Sequence, residues 1–108
     1  MPSRRSDEAI RPVGLRVDWT FEAVAHLDGI YSTLLPFSER SAQEWVLRIN
    51  ERVLSLRDFP RLGRIVPEYR IERFRELIEP PYRIMYQVFA DRVEIVAIRH
   101  SAELLPGD

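Results

Sequence analysis

The sequence predicts a two-layer α+β domain with the element order β-α-α-β-β-β. Residues 74–98 hold three short runs of strand composition, broken by Pro80 and Pro81 and then by Ala90, Asp91 and Arg92. Strands this closely spaced pair as an antiparallel meander, because parallel neighbours need a long crossover. Upstream, two stretches of helical periodicity meet at the short break Pro36-Phe37, which reads as a helix hairpin. Ahead of both lies one alternating run that cannot satisfy its backbone alone and should join the meander.

In order, residues 1–12 read as a frayed arm, since their arginines are not followed by the apolar stretch of a signal peptide. The single domain spans residues 13–108. Val13, Leu15, Val17 and Trp19 alternate with Arg16 and Asp18, the pattern of a half-buried strand. Thr20 is placed to cap a helix and Glu22 to meet the positive end of its dipole. Ala23, Leu27, Ile30, Tyr31 and Leu34 then recur at helical spacing up to Pro36. Gly29 in mid-helix costs up to about 1 kcal/mol against alanine, which close approach of another helix would explain. Ser38 caps the next helix, with the stripe Ala42, Trp45, Val46, Ile49, Val53 and Leu56. On its outer face Glu44 and Arg48 form a favourable i,i+4 pair. The meander follows as residues 74–79, 82–89 and 93–98, the last nearly all apolar, as in a strand covered on both faces.

Composition narrows the chemistry. The 108 residues are 45% apolar and 31% charged, ordinary for one globular domain. A net charge of −1 argues against direct DNA binding, which usually draws on an excess of basic residues. All 16 basic residues are arginine, so an anion site would use guanidinium forks or backbone amides rather than a lysine. No cysteine is present, which removes disulfides, zinc–thiolate sites and thiol catalysis and fits a cytoplasmic protein. No apolar run approaches the ~20 residues of a membrane span. No metal or cofactor is expected.

The stretch 60–74 is punctuated by Pro60, Gly63 and Pro67. Over residues 61–75 it sets five arginines against Glu68 and Glu72. One reading is a solvated loop whose arginines pair with Asp18, Glu22 and Asp28. The other is an anion- or partner-recognition surface on a rigid scaffold.

Leu-Gly-Arg at 62–64, Val-Pro-Glu at 66–68, Arg-Glu-Leu at 75–77, Pro-Tyr-Arg-Ile-x-Tyr at 81–86 and His100 occur in that order. With the preceding strand, Trp-Thr helix start and helix hairpin, they resemble the ParE branch of the RelE/ParE toxin superfamily. The likeness runs from about Val13 to the end. It implies the toxin of a type II toxin–antitoxin pair, neutralised by a cognate antitoxin, expected to be a ParD-like ribbon-helix-helix protein whose tail folds over the toxin. ParE-type relatives are described as inhibitors of DNA gyrase that act by binding; RelE-type relatives cut mRNA in the ribosome. A homologue reduced to antitoxin binding is a third possibility.

Nuclease chemistry by 2′-hydroxyl attack needs a base, an acid and cations on the developing phosphorane charge. Its candidates here are Arg83, Tyr86 and His100. For Arg83 the alternative is a cross-strand ion pair with Glu76 or Glu94, and for Tyr86 a place in the core. His100, in phase with Val96 and Ile98, suits a partly buried histidine, and His26 a surface position. RelE-type nucleases use lysines on the strands before this arginine; this chain has none. Its ending also departs from the ParE pattern, which commonly has an arginine near the position of Glu103. The expectation is therefore a non-catalytic, ParE-like toxin. Arg64, Glu68, Arg75, Arg83, Arg99 and His100 are its target- or anion-binding candidates. Tyr31, Leu35, Phe37 and Trp45 are its antitoxin-binding candidates.

Overall fold

A computed structural model describes residues 14–101. The expected N-terminal arm and the departure near Glu103 lie outside these residues. Strand β1 is Arg16–Trp19, helix α1 Phe21–Leu34 and helix α2 Glu39–Leu54, extended by a 3-10 turn over Ser55–Arg57. Then come β2 (Arg64–Ile65), β3 (Phe74–Glu79), β4 (Tyr82–Val88) and β5 (Arg92–His100). The expected order is present, with one addition. β2 is a two-residue strand inside the arginine-rich loop, too short to leave a periodic signature.

All five strands form one sheet in the order β1-β5-β4-β3-β2. The meander is antiparallel, and β1 joins it parallel to β5, with Val17 opposite Val93. Both helices are capped as the sequence predicts: the Thr20 hydroxyl accepts from Ala23 N–H and the Ser38 hydroxyl from Ser41 N–H, each at 3.1 Å.

The helix hairpin covers one sheet face. Ala23, Trp45, Ile49, Val53 and Leu56 bury against Leu77, Ile84, Tyr86, Val88, Val93, Ile95 and Ile98. A smaller cluster on the other face joins Val66 and Met85 with Tyr69, Phe74, Val96 and Ala97. The loop after β2 therefore covers part of the second face, which explains why β5 is apolar on both sides.

Three expectations about the helices are corrected. Gly29 meets no close neighbour: a Cβ built there finds nothing within 4 Å. Arg48 reaches Glu79 on β3 at 3.1 Å instead of Glu44, which pairs with Arg40. Trp45 is 4% exposed, edge-on to Tyr82 at 5.4 Å, so it holds the hairpin to the sheet and is unavailable as a docking surface.

Candidate functional site

Arg83 is the second residue of β4, and strand alternation turns it to the face opposite the helices. Its Nε donates to Glu76 Oε1 at 2.6 Å, while its two terminal nitrogens donate to Glu68 Oε2 and Oε1 at 2.9 and 2.7 Å. The second oxygen of Glu76 accepts from Arg64 Nε at 2.6 Å. The result is an alternating chain Glu68–Arg83–Glu76–Arg64, with Glu76 1% and Arg83 5% exposed. A buried charge is tolerated when paired and fully hydrogen-bonded. The Arg83 hydrogen bonds hold the Glu68 carboxyl below its usual range. The same bonds donated to Glu68, reinforced by that to Glu76, push the Arg83 guanidinium further up. Beside the chain lies a cavity of about 500 Å³ that Ile78, Pro67 and Ser101 help to line.

The loop before β3 is fastened from below. Gly63 N–H donates to Tyr86 Oη at 2.9 Å, and that hydroxyl donates to Pro60 O at 2.8 Å. Burial raises the Tyr86 phenol above its usual range. A Cβ on Gly63 would lie 2.4 Å from Glu76 O and 2.7 Å from Tyr86 Oη, so only glycine fits this crossing. Arg75 donates to Gly63 O at 3.0 Å and to the Glu72 carboxylate at 2.7 Å, and Arg61 reaches the same carboxylate at 3.0 Å. The loop arginines Arg61, Arg64 and Arg75 thus pair with Glu72 and Glu76 instead of Asp18, Glu22 and Asp28. Sequence separation concealed this: Arg64 and Glu76 become neighbours only because β2 pairs with β3.

The three nuclease candidates do not converge. Tyr86 is fully buried on the helix side of the sheet, its hydroxyl committed to the loop. His100 is on that same side and exposed, not partly buried; its ring stands edge-on to Tyr82 at 5.7 Å. Its expected phase with Val96 fails because a bulge interrupts β5. Met85 pairs with Ala97 and Tyr86 with Ile95, so Val96 is the extra residue, and a bulge resets which face each later side chain takes. Arg83 pairs with Glu76 and not with Glu94. Arg99 lies opposite Arg83 in the register.

His26 is also corrected. It faces the sheet, its Nδ1 accepting from Ile98 N–H at 3.2 Å just past the bulge. Nothing in the sequence marks a bulge, so this role was invisible. At the hairpin, Phe37 is 86% and Leu35 39% exposed, with Tyr31 half-buried. Among the described residues no group of three or more His, Cys, Asp or Glu is placed to hold a metal.

Comparison with known proteins follows the same lines. A family model described as the ParE toxin of the type II toxin–antitoxin system parDE matches residues 17–105. Toxin RelE2 of Caulobacter vibrioides is 39% identical over 90 residues, spanning 82% of this chain and 98% of its own. The putative toxin Y4kP of Sinorhizobium fredii is 33% identical over 93 residues, spanning 84% and 93%. Among solved structures, the chromosomal ParDE system from P. aeruginosa is similar with a TM-score of 0.68 at 25% identity, over 82% of this chain and 98% of that one. The toxin–antitoxin complex RelBE2 from Mycobacterium tuberculosis shares the fold, with a TM-score of 0.58 at 18% identity, over 84% and 95%.

Proposed function

The chain belongs to the ParE toxin family of type II toxin–antitoxin systems, and from that premise we propose that it stops growth by binding a protein target, DNA gyrase. The observation that carries the reading is the state of Arg83. All three of its nitrogens are taken by Glu68 and Glu76. A phosphate would have to displace a carboxylate and face the other, at the cost of uncovering buried charge. The Tyr86 and His100 that a nuclease would recruit lie across the sheet. Binding without turnover needs none of them to meet.

The toxin is held silent by a cognate antitoxin, and solved relatives are toxin–antitoxin systems. We assign that partner to the ribbon-helix-helix, ParD-like class and its docking surface to the hairpin around Tyr31, Leu35 and Phe37. No helix among the described residues is long and apolar enough to cross a membrane, and a gyrase target places the chain's action in the cytoplasm.

Inducing the chain without its antitoxin, while following translation and plasmid supercoiling together, tests this. Loss of supercoiling with translation intact is the expected result. Immediate translation arrest with cleaved messages would overturn it in favour of an mRNA interferase. Unperturbed growth would leave a homologue that only binds antitoxin.

A further inference from the structure

The alternating chain Glu68–Arg83–Glu76–Arg64 is closed at one end and open at the other. Both oxygens of Glu68 accept from Arg83, and each oxygen of Glu76 accepts from a different guanidinium. Arg64 has committed only its Nε, to Glu76 Oε2 at 2.6 Å. Among the described residues neither of its terminal nitrogens has a hydrogen-bond partner. Its side chain is 59% exposed while that of Glu76 is fully buried, so the outer edge of this guanidinium is open to solvent.

An exposed arginine is ordinarily a solvated charge that must be ordered before it can hold anything. Arg64 is already ordered. Its backbone pairs with Glu76 across β2 and β3, and the preceding Gly63 is fixed by Tyr86 Oη at 2.9 Å and by Arg75 Nη1 at 3.0 Å. Its Nε is tied to a carboxylate that Arg83 holds from the other side. Much of the ordering cost of binding is thereby met before a ligand arrives. The cavity of about 500 Å³ that Arg64 lines also has an apolar wall in Pro67 and Ile78, the latter 39% exposed.

We propose that this cavity takes a carboxylate side chain of a partner protein, held bidentate by Nη1 and Nη2 of Arg64, with a neighbouring apolar residue of that partner on Ile78. A carboxylate continues the alternation, since the two-pronged edge of a guanidinium matches its two oxygens. Charge selects against a phosphomonoester, which brings nearly two negative charges at neutral pH. Glu68 shares the cavity and Glu76 lies against Arg64, so the second charge meets repulsion. A nucleic-acid backbone calls for several basic side chains along its path, and the other arginine of the cavity, Arg83, is fully occupied. The site stands whichever cellular target the toxin engages, and its test reads binding rather than growth.

The test is NMR of the guanidinium resonances of the purified full chain with four probes. These are a blocked Leu-Glu-Leu peptide, its Leu-Gln-Leu twin, a Leu-phosphoserine-Leu peptide, and acetate. The acidic peptide should move the Arg64 Nε–H resonance saturably and bind about tenfold more tightly than its amide twin, the difference expected for a charge-assisted hydrogen bond. The phosphoserine peptide should bind no more tightly than the acidic one, and acetate more weakly than either. Arg64→Lys, whose single ammonium goes to Glu76 and leaves no fork, should lose the preference for Glu over Gln, with a melting curve to confirm that it folds. Ile78→Ser, at an exposed position that leaves the guanidinium in place, should weaken both peptides and keep the preference. Equal affinity of the unaltered chain for the two peptides would overturn the proposal, whether or not Arg64→Lys folds. So would a preference that survives Arg64→Lys, tighter binding of the phosphoserine peptide, or acetate binding as tightly as the acidic peptide.

Discussion

At the scale of single residues, Arg83 and Tyr86 are the positions on which the most depends. Arg83→Ala leaves Glu76, whose side chain is 0% exposed, with Arg64 as its one remaining cation among the described residues. Removing one member of a buried pair typically costs about 3–5 kcal/mol, so the melting temperature should fall by more than about 10 °C. Lost toxicity with unchanged melting would instead make Arg83 a working group. Glu68 adds a pH dependence of definite sign. Its folded pKa lies below the usual 4.5 because Arg83 hydrogen-bonds the carboxylate. As pH falls, the unfolded chain takes up the proton first. The stabilisation is therefore present above about 4.5 and is lost as pH drops through the lower folded value. Glu68→Gln should flatten that part of the stability curve, measurable by denaturant titration from pH 6 to pH 3. Tyr86→Phe removes the partner of Gly63 N–H and of Pro60 O; unsatisfied groups of this kind cost about 1–3 kcal/mol. Its loss should appear as a lower denaturation midpoint with no change in slope.

At the scale of elements, the sequence was most legible where a local rule acts alone. Thr20 and Ser38 cap, Pro80 and Pro81 end β3, and the stripe from Ala42 to Leu56 is the buried face of α2, all of which spacing and side-chain chemistry dictate. Where structure depends on what lies across a sheet, the same reading named Glu76 as a partner of Arg83 but failed at other positions. The bulge at Val96 reset the phase of β5, misplacing His100 and concealing the role of His26. β2 drew Arg64 to Glu76, a pairing that the chain order does not reveal. Gly29, where the sequence allows close approach of another helix, faces open space. It follows that Gly29→Ala should stabilise α1 by about 0.5–1 kcal/mol, read as a rise of several degrees in melting temperature. A destabilised variant would mean that the glycine answers to a contact within the folded chain.

At the scale of the whole molecule, charge and apolar exposure separate. The net charge of −1 conceals a sheet face where Glu68, Arg83, Glu76 and Arg64 alternate as ion pairs. An exposed aromatic lies elsewhere. Phe37, at the turn joining α1 and α2, is 86% exposed, and Leu35 beside it is 39% exposed. An aromatic this exposed at a helix turn adds nothing to the core, and aromatics are favoured anchors at protein interfaces. Phe37→Ser should therefore leave the fold intact, with stability changed by no more than about 0.5 kcal/mol. If the hairpin receives the antitoxin, the same change should weaken the complex by about 2 kcal/mol or more, roughly thirtyfold in Kd. Titration calorimetry of the refolded chain with its antitoxin reads both quantities when paired with a melting curve. An unchanged Kd would remove Phe37 from the interface and leave Tyr31 and Leu35 as the hairpin positions to substitute next.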